Sequence, residues 1–362
     1  MGRCGAAVGV ALLGIFLSTL THAAVFTVNS SFDVSDANPG NGICETAPGN
    51  GTCTLRAAIQ EANALPGADQ IILPPNTYLL SIVSELSITD SLTITGGGAS
   101  TTIIDGNKSA RPDSRVLVVG SGITVNIGGV TIRNGGTAGD GGGIFNVGTL
   151  TLSNSAVTGN NADENGGGIY NANGGTAMLT NITVSGNAVG EDGGGILMLT
   201  DSTVTGNNAG DDAGGIFNVT GGTMTLTNIT VSGNSDGGGG IRNSGILTLT
   251  NSTVSGNNAD GDGGGIYLFA GTVNSFNSTI TDNRSDADLN GTGVGGGVHN
   301  DPAATFIFQN TILAGNFETQ PVGNSFVATA GECDGTIISS GNNLMKNYDA
   351  SHCTVIGTPP IG

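Results

Sequence analysis

Residues 141–161 read Gly-Gly-Gly-Ile-Phe-Asn-Val-Gly-Thr-Leu-Thr-Leu-Ser-Asn-Ser-Ala-Val-Thr-Gly-Asn-Asn, and the chain repeats this sentence. A Gly-Gly-Ile or Gly-Gly-Val step closes seven times, at Ile144, Ile169, Ile196, Ile216, Ile241, Ile266 and Val298, with spacings of 25, 27, 20, 25, 25 and 32 residues. A unit this short cannot bury its own apolar side, so copies must stack on one another as a solenoid. In 149–154 the apolar period is two, which turns Leu150 and Leu152 inward and leaves Thr and Ser to water. Leu226, Leu247 and Leu249 repeat the pattern.

Two Asn columns accompany the repeat. The first is Asn154, Asn181, Asp201, Asn228, Asn251, Asn277 and Asn310, and the second is Asn160, Asn187, Asn207, Asn234, Asn257, Asn283 and Asn316. Asn tolerates the left-handed conformation that a tight corner needs, and amides stacked coil on coil can hydrogen-bond as a ladder. Both columns are expected to be structural. The ladder also accounts for the Asn-x-Thr sequons at Asn181, Asn228, Asn251 and Asn277, because Asn154 and Asn310 hold the same place without being sequons.

Composition agrees. Sixty-five glycines, no tryptophan and 4% aromatic residues exclude a core of large side chains, while 37% hydrophobic content excludes a disordered chain. With 28 acidic against 9 basic residues the net charge is −19, which disfavours nucleic acid and anionic lipid as partners. No apolar run after the N-terminus is long enough to span a membrane as a helix.

Residues 1–23 have the pattern of an export signal: Arg3, an apolar stretch from Gly5 to Leu20, and Thr21-His22-Ala23 as the cleavage site. Four cysteines follow it, Cys44, Cys53, Cys333 and Cys353. Three disulfide connectivities are open, of which the two local pairings close short loops and leave the repeats uncrossed. Metal ligation fits poorly, since no Cys-x-x-Cys occurs. After residue 23 the chain divides into a cap at 24–70 with a short strand, the Cys44/Cys53 loop and a helix, coils over 71–316, and a closing region at 317–362 with Cys333 and Cys353. In the cap, Leu55, Ala58, Ile59 and Ala62 share one helical face, with Thr54 as N-cap and Pro66-Gly67 as the stop. Such a helix shields the apolar end of a solenoid.

Cys53-Thr54-Leu55-Arg56-Ala57-Ala58, followed by Ala62-Asn63 and Ile71-Ile72-Leu73-Pro74, resembles the CSLREA motif that opens many secreted bacterial right-handed parallel β-helix proteins. It departs at Ala57, where the family's Glu would complete a capping box. The Gly-Gly-Ile repeats are similar to those of the polymorphic outer-membrane protein type. Cys333, Ser340-Gly341-Asn342-Asn343-Leu344 and Cys353 resemble the closing region of the choice-of-anchor β-helix proteins. The resemblance implies an all-β, right-handed parallel β-helix that is exported. About nine or ten coils at roughly 4.8 Å each predict a rod on the order of 45 Å long.

Function is less legible. Asp140, Asp163 with Glu164, Glu191 with Asp192, Asp211 with Asp212, Asp236, and Asp260 with Asp262 precede the Gly-Gly-Ile steps and form an acidic corner. Calcium bridging two coils is one reading of that corner. Solvated turns are the preferred one, and no cofactor is expected. The position after each Gly-Gly-Ile/Val step holds Phe145, Tyr170, Leu197, Phe217, Arg242, Tyr267 and His299, which makes either an exposed stripe suited to partner or sugar contact or, the preferred reading, an inward or covered core stack. Catalysis on the outer face of a β-helix needs converging carboxylates, alone or with a basic group. Here Arg133 and Arg242 stand on separated coils, His299 and His352 are single, and Gly210-Asp211-Asp212 is similar to only a fragment of a polygalacturonase motif.

The sequence therefore predicts a secreted or cell-surface, adhesin-like monomer that binds a surface glycan or protein and has no catalytic residues. The alternative is a polysaccharide lyase or glycoside hydrolase acting on acidic glycans. The terminal Thr358-Pro359-Pro360-Ile361-Gly362 carries no sorting motif, so release, or an anchor outside this sequence, is expected.

Overall fold

A computed structural model describes residues 23–346 and 349–362, apart from 173, 191–195, 211, 212, 236, 238, 323 and 324. The signal-like segment 1–22 and the corner acids Glu191, Asp192, Asp211, Asp212 and Asp236 lie outside the described residues. The fold is a right-handed parallel β-helix. In a regular coil a short first-wall strand such as Ile144–Asn146 leads to the long strand Thr149–Thr158, which turns a corner at Asn154 and so supplies a second and a third wall. Asn161–Ala162 then closes the coil.

Every wall is a ladder of parallel rungs in register. Phe145 pairs with Tyr170, Leu150 with Ala177 and Val157 with Val184. Inward positions are aliphatic and sealed: Ile144, Leu150, Leu152 and Val157 are fully buried, as are Ile241, Leu247, Leu249 and Val254. Each such side chain contributes about 1.5–3 kcal/mol on burial, and the coil beneath completes its enclosure. Aromatic filling of the core occurs at the C-terminal end, where Phe306 and Phe308 are sealed with ring centroids 6.0 Å apart.

The stack runs past both limits of 71–316. Val25–Thr27 pairs in parallel with Asp69–Leu73, and Cys333–Ser339, Leu344–Lys346 and Cys353–Gly357 add rungs at the far end. The second wall therefore has more rungs than the nine or ten expected. The short terminal strands lack the glycine signature and were invisible to the repeat count. Leu55–Ala64 covers the first coil, with the Thr54 hydroxyl accepting from Ala57 N. Leu55, Ala58, Ile59 and Ala62 are buried as the helical spacing predicts. Arg56 and Glu61 are buried too, because Arg56 pairs with Asp33 at 2.6 Å and Glu61 accepts from the Gly40 and Gly42 amides. The two disulfides are local, Cys44–Cys53 and Cys333–Cys353.

One repeat is out of place. Ile196–Thr200 pairs with residues 176–180 of the second wall and not with Ile169–Asn171. The Gly-Gly-Ile at Ile196 is thus a different element from the other six, and its coil, the one with 20-residue spacing, has no described first-wall strand. The first wall consequently divides into a group ending at Ile169–Asn171 and a group beginning at Ile216–Asn218.

The two Asn columns have different jobs. Asn154, Asn181, Asp201, Asn228, Asn251, Asn277 and Asn310 all take positive φ, 49° to 55°, at exposed corners. Their side-chain bonds come in pairs: Asn181 to Asn154, Asn228 to Asp201 and Asn310 to Asn277, at 2.8–3.0 Å. The second column is the continuous ladder. Each Nδ2 donates to the next Oδ1 through Asn160, Asn187, Asn207, Asn234, Asn257, Asn283 and Asn316, all at 2.9–3.0 Å and all buried. Each Oδ1 from Asn187 onward also accepts the backbone N–H of the preceding rung.

Buried Glu332 ends the row, accepting from Asn316 Nδ2 at 2.7 Å. Burial pushes its carboxyl above the usual range, against the opposing pull of the Asn316 and Gly315 bonds. A carboxyl raised on folding adds stability below its unfolded value and loses it as pH rises through the folded one.

This ladder explains the glycines. A Cβ on Gly143, Gly168, Gly215, Gly240, Gly265 or Gly297 would come within 2.7–2.9 Å of a ladder amide. The Gly-Gly-Ile step and the Gly-Asn step are two sides of one contact.

Two substitutions separate the columns. Asn234→Ala removes four hydrogen bonds and strands buried donors, so unfolding in denaturant should show a loss of about 3 kcal/mol or more. Asn228→Gly keeps the corner conformation and should cost less than about 1 kcal/mol. Equal losses would refute the division of roles.

Candidate functional site

The position after Gly-Gly-Ile faces outward, not into the core. In Ile241–Asn243, Ile266–Leu268 and Val298–Asn300 the flanking residues are buried and the middle one is half-buried. Strand alternation leaves no other choice once Ile241, Ile266 and Val298 point inward. Leu197 does not belong to the stripe, since it pairs with Ala177 in the second wall.

The stripe falls into two patches. In the first, Arg115 lies over the Phe145 ring at 5.1 Å, and Phe145 leans on Tyr170 at 5.6 Å. In the second, register places Phe217, Arg242, Tyr267, His299 and Asp334 on successive rungs. The Arg242 guanidinium sits over Phe217, Tyr267 and Phe269 at 5.6, 5.2 and 5.2 Å. Tyr267 meets the His299 ring edge-on at 5.1 Å, with the Asp301 carboxylate nearby.

His299 is the centre of this patch. Its Nε2 lies 3.1 Å from Asp301 Oδ1 and 3.9 Å from Asp262 Oδ2, and its Nδ1 lies 3.0 Å from Asp334 Oδ2. Asp334 is close to Nδ1 but poorly aligned as an acceptor. Burial alone would lower the imidazole pKa. Asp334, the Asp262 charge and the Asp301 bond outweigh it, and the ring is held above its ordinary 6.5. The Tyr267 phenol is pushed up by burial and by the Asp301 charge, with Arg242 opposing.

The sequence reading of His299 as a solitary corner residue is therefore overturned. Its partners come from three separate places in the chain, the turns at 262 and 301 and the strand Cys333–Ser339, and only the coil register joins them. The spacing of 32 residues between Ile266 and Val298 was the available signal, since a longer coil adds an outward loop there. Beside the ring opens a cleft of about 370 Å³ lined by Arg242, Asp260, Asp262, Tyr267, Asp288 and Asn290.

The other predicted groups stay apart. Arg133 pairs with Asp105 at 2.8 Å on the third wall. His352 is half-exposed, 3.7 Å from Asp349. In the acidic corner Asp140 accepts from Asn165 of the next coil, and Asp262 from Val294 N. These carboxylates stitch turns together. Among the described residues no group of three or more His, Cys, Asp or Glu is arranged to hold a metal ion.

No family model matches the chain, and no curated protein matches it in sequence. Among solved structures, the A-module of the mannuronan C-5 epimerase AlgE6 of Azotobacter vinelandii is similar, with a TM-score of 0.51 and 14% identity over 92% of this chain and 100% of that one. At that identity the likeness speaks for the parallel β-helix fold alone.

A raised imidazole gives stability that is fully present below pH 6.5 and is lost as pH rises through the folded-state value. The His299 ring protons should therefore titrate by NMR with a midpoint above 6.5, and Asp334→Asn should move it down. A midpoint at or below 6.5 in the unsubstituted chain would contradict the assignment.

Proposed function

We propose that this chain is an exported β-helix enzyme that cleaves a glycan on its outward first wall. One observation carries the reading: a half-exposed Tyr267 and a His299 imidazole held between Asp301 and Asp334, beside Asp262, at the edge of an open cleft. An imidazolium can give its proton to a departing glycosidic oxygen, and a neighbouring carboxylate can take a proton from the attacking group. Such proton transfer contributes about 10²–10⁴-fold to a rate. The cluster of Phe217, Tyr267 and Phe269 packed around Arg242 gives the wall an apolar surface beside His299.

The fold shared with a polysaccharide-modifying enzyme supports the reading, as do two disulfides, which suit an extracellular site. No helix among the described residues is long and apolar enough to cross a membrane. The motif resemblance at Cys53–Ala58 points to export as well.

A binding role without chemistry is the second reading. The Arg115, Phe145 and Tyr170 patch favours it, because it offers rings and a cation with no histidine. Incubating the protein with a panel of glycans and scanning for new reducing or unsaturated ends separates the two. Cleavage should fall about 100-fold or more in His299→Ala and in Tyr267→Phe, with the thermal transition checked in both. Glycan retention with no new chain ends on any substrate would leave the adhesin-like role.

A further inference from the structure

We infer that the free edge of Ser325–Ala330 pairs with the same strand of a second copy of this chain, joining two molecules about a two-fold axis. The strand stands at the end of the row of short strands that closes the coils. Asn258 bridges to Arg284, Arg284–Ser285 pairs in parallel with Phe317–Val322, and Phe317–Val322 pairs antiparallel with Ser325–Ala330. Among the described residues no strand pairs with the far side of Ser325–Ala330. All of its residues are exposed, Phe326 and Val327 at 42% and 47%. Register decides which backbone groups are open. Pro321 stands opposite Phe326 and has no N–H to give, so theirs is a non-hydrogen-bonded pair of the ladder. At the other end Gly331 N donates to Asn316 O, which makes 331 and 316 a hydrogen-bonded pair. Alternation from either end gives the same result: the N–H and C=O groups of Phe326, Ala328 and Ala330 point away from the hairpin. Such a row is a template for another strand.

Two observations choose a second copy as the occupant. The first is that the edge is its own complement. Antiparallel pairing about an axis at Ala328 sets Ala328 opposite its counterpart and Phe326 opposite Ala330 of the second copy, so every outward group on both edges finds a bond at once. Phe326 then lies beside Ala330 on one face and Val327 beside Thr329 on the other, which covers apolar surface that the hairpin exposes. An interface that complements itself closes at two copies. Charge is the second observation. Residues 319–331 hold no charged side chain, in a chain of net charge −19. Over most of its surface one copy repels another, and along this edge it does not. The devices that guard an edge are missing from 325–330 as well: the segment has no lysine, no proline and no acidic residue, and its ladder runs without a bulge. The pairing departs from the monomer that the sequence predicts, because exposure of this strand is a property of the fold and not of its letters.

Sedimentation equilibrium of the full chain, from micromolar to millimolar protein, tests this. The mass should rise with concentration from that of one chain to that of two and stop there. Ala328→Pro removes an N–H that the hairpin does not use, and Ala328→Lys sets two ammonium groups against each other at the axis. Each should weaken association at least about tenfold, with the thermal transition checked in both. A covalent trap reads the geometry without relying on either variant. Hydrogen-bonded antiparallel neighbours lie about 5.5 Å apart at Cα, within reach of a disulfide, so Ala328→Cys should link two copies under mild oxidation. Val83→Cys, at a position 76% exposed near the capping helix, should not. A single-chain mass at every concentration, association as tight in Ala328→Pro and Ala328→Lys as in the unsubstituted chain, growth past two copies into an open series, or equal linking in the two cysteine variants would overturn the inference.

Discussion

The rest of the molecule depends on a row of buried amides. From Asn160 to Asn316 each carboxamide donates to the next, accepts a backbone N–H, and donates again to a carbonyl of the preceding coil. An amide is suited to this because it has two donors and an acceptor with two lone pairs in one plane, so an identical neighbour completes it. In a dry interior the bonds gain strength, and an unpaired member would be costly. The row therefore fixes coil on coil in register. Together with the neighbouring backbone it leaves no room for a Cβ at Gly143, Gly168, Gly215, Gly240, Gly265 or Gly297, which holds the glycine before each of those Ile or Val residues.

Registration has a chemical consequence on the first wall. Once Ile241, Ile266 and Val298 are locked inward, Arg242, Tyr267 and His299 must line up outward on consecutive rungs. A regular scaffold thus builds an irregular site at the point where the turns lengthen. The loops between Asp260 and Gly295, after Asn300, and the hairpin Phe317–Val322 with Ser325–Ala330 all occur at this end. Asp262, Asp301 and Asp334 come from or beside these departures. The coils around Asn154 and Asn181 present mainly Thr and Ser along their long strands.

Much of the fold was legible before any coordinates. Leu150, Leu152, Leu247 and Leu249 announce the inward face by alternation, and Thr54 with Leu55, Ala58, Ile59 and Ala62 announces the capping helix. What misled was identity of motif without identity of place. Ile196 carries the same Gly-Gly-Ile step as the other repeats, yet Ile196–Thr200 pairs into the second wall. The stripe from Phe145 to His299 was likewise assigned inward by the habit of aromatic side chains, when the parity of the strand decides the matter. His299 looked solitary because its carboxylates are distant in sequence.

The sequence by itself determined that small repeats must stack, which side chains face the dry interior, and where the chain turns, since these follow from local periodicity and from the conformations open to Gly and Asn. Only the tertiary structure decided which of two Asn columns is the ladder, where Ile196 belongs, and that Asp262, Asp301 and Asp334 close on His299. Those outcomes depend on how many residues lie between one rung and the next. A turn's length is plain in sequence, but what it brings into contact is set by the coil it lands on.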